Sequence, residues 1–164
     1  MSEGPDGLVA EHLLYAGCGI RLWLKNILNA IIDMEEIPTM LKSGLIVPVY
    51  KGGGRDHTSV HSYRGITLVS IIAKLLEILI LERMQPVLTE LGIPHINQSA
   101  YRKGVSCSDA ILATQEAIVK YMRGGDNVYM CMYDLQKAFD TVEYSVLLKR
   151  LFEIGVNGRL WRLL

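Results

Sequence analysis

The chain has 164 residues, of which 50% are hydrophobic, and its 17 Lys and Arg residues balance its 17 Asp and Glu residues. This composition provides enough apolar side chains for a core, so it excludes wholesale disorder. The balanced charge gives no global electrostatic case for nucleic-acid binding and leaves only a local basic patch as an option.

Hydropathy and cysteine content indicate a protein that stays inside the cell. The apolar stretches at 22–32 and 66–81 contain charged residues, so neither provides the ~20 clean apolar residues of a membrane span. Cys18 and Cys131 lie in apolar surroundings and lack zinc-site spacing, which predicts buried thiols in a reducing compartment. No signal peptide precedes the first element, so we expect a nuclear or cytoplasmic location, no secretion and no membrane partner.

The first predicted element is an amphipathic helix. A turn-rich opening at 3–7 is followed by apolar residues at helical spacing from about Val9 to Met34. Glycines at 17 and 19 indicate a break within this helix.

A β-hairpin is predicted next. Leu45 to Tyr50 is short, apolar and β-branched, and Pro48 within it favours an edge position. The glycine-rich turn at 51–56 leads to Ile66 to Ser70, which reads as the returning strand.

The predicted hairpin carries most of the positive charge in its neighbourhood. Lys42, Lys51, Arg55 and Arg64 face a single acid, Asp56, which gives this segment a net charge of +3. Such a hairpin is suited to binding phosphate groups, and an ordinary solvated loop explains the charge equally well.

Two further helices are predicted with an irregular segment between them. Apolar residues from Ile71 form a wide helical face that we expect to end by Pro86. Leu91 to Val105 shows no periodicity. Ser106 and Asp109 have the spacing of a capping box, which predicts the start of the next helix.

The last part of the chain contains the most pronounced strand pattern. Val128 to Asp134 is predicted as a strand, and Ser145 to Ile154 as a helix with Gly155 at its C-terminal end. Another helix begins at Gly158. Helices alternating with few strands indicate an α+β or α/β architecture.

Asp134 is the main chemical candidate because it would stand at the end of that strand. Taken alone, an Asp at this position more often starts a turn or caps a helix. The functional alternative is a ligand for a metal ion that positions a nucleotide triphosphate. Asp140 is better explained as the cap of the following helix, so the pattern provides one carboxylate.

A second candidate is the loop from Gln98 to Gly104, which places an aromatic residue beside two cations. Single-stranded nucleic acid is bound by such combinations. A simple exposed loop has the same composition, and the loop alone does not decide between the two.

In chain order, five segments resemble the reverse transcriptase of non-LTR (LINE-type) retrotransposons. They are Gly4-Pro5-Asp6-Gly7, Val47-Pro48-Val49-Tyr50-Lys51, Ser62-Tyr63-Arg64-Gly65-Ile66-Thr67-Leu68, Gln98-Ser99-Ala100-Tyr101-Arg102-Lys103-Gly104, and Tyr133-Asp134 through Asp140-Thr141-Val142. Gly65 stands where the family usually has Pro, and Ala100 where it usually has Gly. The shared order of the segments favours the functional interpretation of Asp134.

The resemblance implies an α+β fold of the right-hand polymerase type. Fingers would cover about 1–125 and contain the hairpin, and the start of the palm would cover about 126–164 with one palm strand. The implied chain is a truncated piece of an RNA-directed DNA polymerase, whose partners would be an RNA template, a DNA primer and dNTP. No small-molecule cofactor is implied beyond Mg²⁺ or Mn²⁺, and the ion is expected only for a complete active site.

The resemblance also implies residue roles. Asp134 would bind the catalytic metal ions, with the Leu135 carbonyl as a further oxygen donor. Phe139 would pack under the sugar of the incoming nucleotide and disfavour a ribose 2′-hydroxyl. Arg64 would hold the triphosphate with help from Lys51.

Nucleic-acid contacts are implied for Gln98, Arg102 and Lys103, which would lie near the template and its backbone. The family's Gln-containing palm motif and its Asp-Asp pair would lie beyond residue 164, so we expect no polymerase activity from this chain alone. One alternative is a non-catalytic module that binds RNA or an RNA–DNA hybrid. Another is a chain that does not form a stable protein.

Overall fold

A computed structural model describes residues 3–164 as a helix-rich α+β protein with one two-stranded antiparallel sheet. The elements in chain order are α1 (Ala10–Tyr15), α2 (Gly17–Met34), β1 (Gly44–Tyr50), β2 (Tyr63–Val69), α3 (Ile71–Glu90), α4 (Cys107–Arg123), α5 (Tyr144–Glu153) and α6 (Gly158–Leu163). Short 3₁₀ turns at Thr39–Leu41 and Val60–Ser62 precede the two strands. Among these helices, none is long and apolar enough to cross a membrane.

The described residues divide into two compact units. The first unit comprises the described residues up to Met84 together with Val156–Leu164, and the second unit comprises Gln85–Gly155. The first unit therefore combines residues from both ends of the described chain.

The core of the first unit is formed by three helices. Ile31 and Ile32 of α2, Leu76 and Ile80 of α3, and Leu163 of α6 are each at most 7% exposed. The spacing of four residues between Leu76 and Ile80 places both on one face of α3. Burial of each aliphatic side chain contributes about 1.5–3 kcal/mol, so this cluster is the main source of packing energy in the unit.

Ion pairs join α6 to the end of α2 beside this core. Arg162 donates from two guanidinium nitrogens to the two carboxylate oxygens of Glu35. Arg159 Nη1 donates to Asp33 Oδ1 at 2.8 Å. Both cations therefore bind carboxylates at or next to the C-terminal end of α2.

Three local predictions agree with the structure: the helix break, the hairpin and the capping box. The break expected near Gly17 and Gly19 lies at Ala16, between α1 and α2, and Gly17 has a φ of 73°. β1 and β2 form the predicted hairpin, and the capping box at Ser106 and Asp109 begins α4 as expected.

The expected end of α3 is wrong. The helix continues through Pro86 to Glu90. A proline inside a helix removes one backbone donor and leaves the carbonyl four residues earlier without its partner. Pro86 and Glu82 are both exposed, so water can hydrate that carbonyl and the helix is not interrupted.

The predicted strand from Val128 to Asp134 is also wrong. This segment has no strand pairing, and Gln85–Gly155, all of which is described, contains no strand that could pair with it. A strand needs a neighbour to accept its backbone hydrogen bonds, and apolar alternation alone does not provide one. Cys131 within the segment is exposed, as is Cys18, so the prediction of buried thiols is wrong as well.

Substitutions on α3 test the assignment of the core. We expect Ile80→Ala to lower the free energy of unfolding by about 2–4 kcal/mol, since it removes buried carbons and leaves a cavity. Ile78→Ala makes the same chemical change at a side chain that is 54% exposed, so its effect should be below about 1 kcal/mol. Urea unfolding followed by circular dichroism measures both, and equal effects would contradict the assignment.

The contact between α6 and α2 should make stability depend on pH. Hydrogen bonding from Arg162 is the main reason that the pKa of the Glu35 carboxyl lies below its ordinary value of 4.5. A lowered folded-state pKa stabilises the fold above the unfolded-state value, and this contribution is lost as pH falls through the folded-state value. Arg162→Gln should therefore lower Tm at pH 7 more than at pH 3, whereas Arg21→Gln at an exposed position should show no such trend.

Candidate functional site

The hairpin brings the two predicted phosphate-binding residues close together. β1 and β2 pair from Gly44 opposite Val69 to Tyr50 opposite Tyr63, and Arg64 lies opposite Val49. The Lys51 amide donates to the Ser62 carbonyl at 2.9 Å, which extends the pairing by one residue. Side chains alternate between the faces of a strand, so this register carries Lys51 and Arg64 on the same face.

The two cations differ in how their side chains are held. Lys51 Nζ donates to the His61 carbonyl at 2.7 Å, and an ammonium group has two further N–H donors. The Arg64 guanidinium is exposed and forms no hydrogen bond or ion pair with any residue from 3 to 164. Its planar donors remain available for a phosphate or carboxylate.

The opening turn packs against the point where the hairpin passes into α3. Ser70 is 2% exposed, and its hydroxyl donates to Asp6 Oδ2 at 2.5 Å while accepting from the Ile72 amide at 3.1 Å. A Cβ at Gly4 would lie 2.8 Å from the Val69 carbonyl oxygen, so only glycine allows this approach. The turn therefore ties the start of the described chain to the start of α3.

Ionisation of Asp6 supports this contact. Partial desolvation raises the pKa of the Asp6 carboxyl, and hydrogen bonds from Ser70 and the Leu8 amide outweigh it, so the pKa lies below the ordinary value. The charged form is the one that accepts both bonds.

In the second unit, the predicted nucleic-acid loop is held by its own side chains. Arg102 Nη1 donates to the Ile96 carbonyl at 2.6 Å, and Gln98 Nε2 donates to the Ala100 carbonyl at 3.2 Å. Tyr101 adopts a φ of 61° and Lys103 is exposed. Two of the three predicted contact residues thus shape the loop, and Lys103 is the cation left exposed.

One contact joins this loop to the segment that follows Asp134. The rings of Tyr101 and Phe139 meet edge to face, with centroids 6.5 Å apart and an interplanar angle of 84°. Tyr101 was not among the predicted site residues. The aromatic character of its segment was visible in the sequence, but the meeting of two rings so distant along the chain was not.

Asp134 and Leu135 lie on an exposed segment without regular secondary structure that leads into a turn. Lys137 has a φ of 51°, and its carbonyl accepts from the Asp140 and Thr141 amides at 2.9 and 3.1 Å. Asp140 does not cap α5, because the N-cap position belongs to Glu143. A cap must stand directly before the first helical turn, and Asp140 lies too far upstream.

The residues present do not make a complete metal site. From residue 3 onward, no group of three or more His, Cys, Asp or Glu side chains is placed to hold a metal ion. Asp134 and the Leu135 carbonyl offer two kinds of oxygen donor, whereas Mg²⁺ requires near-octahedral coordination.

Comparison with known proteins matches this chain to one enzyme family. Residues 50–164 match the model described as reverse transcriptase (RNA-dependent DNA polymerase). The chain is 30% identical over 160 residues to the probable RNA-directed DNA polymerase from transposon BS of Drosophila melanogaster, with 96% of this chain and 18% of the relative covered.

Two other relatives come from retroelements of the same organism. The putative 115 kDa protein in type-1 retrotransposable element R1DM is 29% identical, with 98% of this chain and 15% of the relative covered. The RNA-directed DNA polymerase from mobile element jockey is 29% identical over 79% of this chain and 14% of its own length. The chain thus spans less than a fifth of the length of these curated relatives.

The docking of the opening turn is open to a direct test. Gly4→Ala should displace the turn, because the new Cβ would overlap the Val69 carbonyl, and amide exchange at Leu8 and Ile72 should become faster. Gly19→Ala is the matched control, since a Cβ there meets nothing within 4 Å. Hydrogen exchange followed by NMR measures both, and unchanged protection of Ile72 in Gly4→Ala would refute the contact.

Proposed function

Because the chain belongs to the reverse transcriptase (RNA-dependent DNA polymerase) family, we propose that it forms part of a retroelement enzyme that copies RNA into DNA. The observation that carries this proposal is the family match over residues 50–164, which includes both Arg64 and Asp134. The proposed partners are an RNA template, a DNA primer and dNTP. The relatives named as RNA-directed DNA polymerases support the same reaction class.

Within this proposal, residues 1–125 form fingers and 126–164 begin a palm. The hairpin is the proposed phosphate-binding part of the fingers, with Arg64 and Lys51 as the residues that bind the triphosphate of dNTP. Support comes from the strand register, which carries both cations on one face, and from the unoccupied donors of Arg64.

Asp134 is the proposed metal ligand of this chain, with the Leu135 carbonyl beside it. Reverse transcriptases use divalent metal ions, and Mg²⁺ or Mn²⁺ would supply charge stabilisation to phosphoryl transfer when bound in a complete site. Asp134 is the one metal-binding carboxylate that we propose in the described part of the chain. We therefore propose that the chain does not polymerise DNA by itself.

Phe139 is the proposed residue that contacts the sugar of the incoming nucleotide. Its ring is 76% exposed and Tyr101 lies against it, so one ring face remains open to a ligand. Lys103 is the proposed phosphate contact on the template side, and Gln98 and Arg102 act there by fixing the loop that carries it.

Two measurements on the purified chain test the proposal. Binding to an RNA–DNA hybrid should weaken steeply with salt, and Lys103→Ala should reduce the slope of log K against log salt by about 1. Lys149→Ala removes another exposed charge and is the control. The chain should also bind dNTP, and Arg64→Ala should weaken this binding because Arg64 is proposed to hold the triphosphate.

The outcomes separate the alternatives. Hybrid binding without dNTP binding would favour a non-catalytic RNA or RNA–DNA hybrid binding module. Absence of hybrid binding at low salt would contradict both. Robust template-dependent primer extension with Mg²⁺ or Mn²⁺ would show that the chain is active alone, against the proposal.

A further inference from the structure

Three aromatic side chains cluster at the loop end of the hairpin. The Tyr50 and His57 rings stack with centroids 4.1 Å apart and an interplanar angle of 18°. The Tyr50 and Tyr63 rings meet edge to face at 5.6 Å and 60°. Tyr50 and Tyr63 are the last residue pair of the two strands, so the cluster closes the sheet where the loop begins. We call these three residues the aromatic clasp.

Both tyrosine hydroxyls of the aromatic clasp bind the backbone of the loop. Tyr50 donates to the Arg55 carbonyl at 2.6 Å, and Tyr63 donates to the His57 carbonyl at 3.0 Å. Each strand therefore holds the same short stretch of loop, and it does so through an atom that phenylalanine lacks.

The loop needs such tethers because of its glycines. Gly52, Gly53 and Gly54 have φ values of 74°, 73° and 67°, and a Cβ at any of them would meet nothing within 4 Å. Backbone conformation rather than space requires glycine here, and glycine loses more conformational freedom on ordering than other residues. Beyond the glycines, Asp56 accepts from the Thr58 amide at 2.9 Å, which fixes a local turn.

The cations lie on the opposite side of the strands from the aromatic clasp. Tyr63 and Arg64 are consecutive in β2, so their side chains leave opposite faces. Lys51 directly follows Tyr50, and its ammonium group is bound to the carbonyl of His61 at 2.7 Å, within the loop that the aromatic clasp holds. Ordering the loop therefore also orders the His61 carbonyl that accepts the hydrogen bond from Lys51.

We propose that Tyr50, Tyr63 and His57 are positioning residues that hold Lys51, on the same face as Arg64, ready for the triphosphate of an incoming nucleotide. This inference rests on the phosphate-binding role proposed above for the two cations. A ligand that meets ordered donors does not have to order them on binding, so affinity rises without any direct contact to the clasp. The aromatic clasp itself touches no ligand.

The test measures binding of inorganic tripolyphosphate to the full chain, by NMR titration at low salt. The double variant Tyr50→Phe/Tyr63→Phe removes both hydroxyls and keeps the rings, so affinity should fall about threefold to tenfold. Tyr129→Phe removes a hydroxyl from a side chain that is 91% exposed and should leave affinity unchanged. Arg64→Ala should weaken binding by about tenfold.

Measuring the Tyr→Phe pair in a second variant chain distinguishes a positioning role from a general loss of structure. In the Lys51→Ala chain, the Tyr→Phe pair should cost less affinity than in the wild-type chain, because part of its effect acts through Lys51. The Tm of the double variant should stay close to that of the Tyr129→Phe chain.

Each outcome decides the matter. Unchanged affinity in the double variant, or an equal loss with and without Lys51, would overturn the positioning role and leave the phosphate role of the cations standing. Failure of the wild-type chain to bind tripolyphosphate would overturn the phosphate role, and the positioning role with it.

Discussion

The packing of α6 against α2 and α3 is the contact on which the first unit depends. It joins residues at the two ends of the described chain, through buried Leu163 beside Ile31 and Ile80 and through the pair of Arg162 and Glu35. Burial supplies most of the energy, and the exposed ion pairs mainly select the arrangement of the helices. The hairpin is connected directly to this core, because β2 leads through buried Ser70 into α3.

The second unit shows what happens without such packing. Throughout Gln85–Gly155, all of it described, no side chain is buried. Its helices form from local signals, including the Ser106 capping box, while the apolar faces of α4 and α5 stay exposed. The segment that carries Asp134 forms no strand for the same reason, since strand pairing is a tertiary interaction. Of the two candidate sites, the cationic hairpin is therefore the one that belongs to a unit with a packed core.

How much of the site could be predicted depends on how far apart in the sequence the interacting residues lie. The hairpin was predictable because alternation, β-branching and a glycine turn act within a few residues of each other. The roles of Gln98 and Arg102 were not, because nothing in their spacing shows that each side chain binds a backbone carbonyl of its own loop. The strand prediction at 128–134 was wrong because apolar alternation forms a strand only beside a partner strand, and the second unit contains none.

The sequence by itself determined the helices, the hairpin, the capping box and the order of motifs that marks the family, because local backbone preferences and side-chain periodicity carry that information. The tertiary structure alone decided which groups meet. Tyr50 and Tyr63 find carbonyls in the loop, Asp6 finds Ser70, and Arg162 finds Glu35 only once strand register and helix packing set the distances. The pairings of Asp6 with Ser70 and of Arg162 with Glu35 join residues 64 and 127 positions apart, so no short pattern in the sequence encodes them.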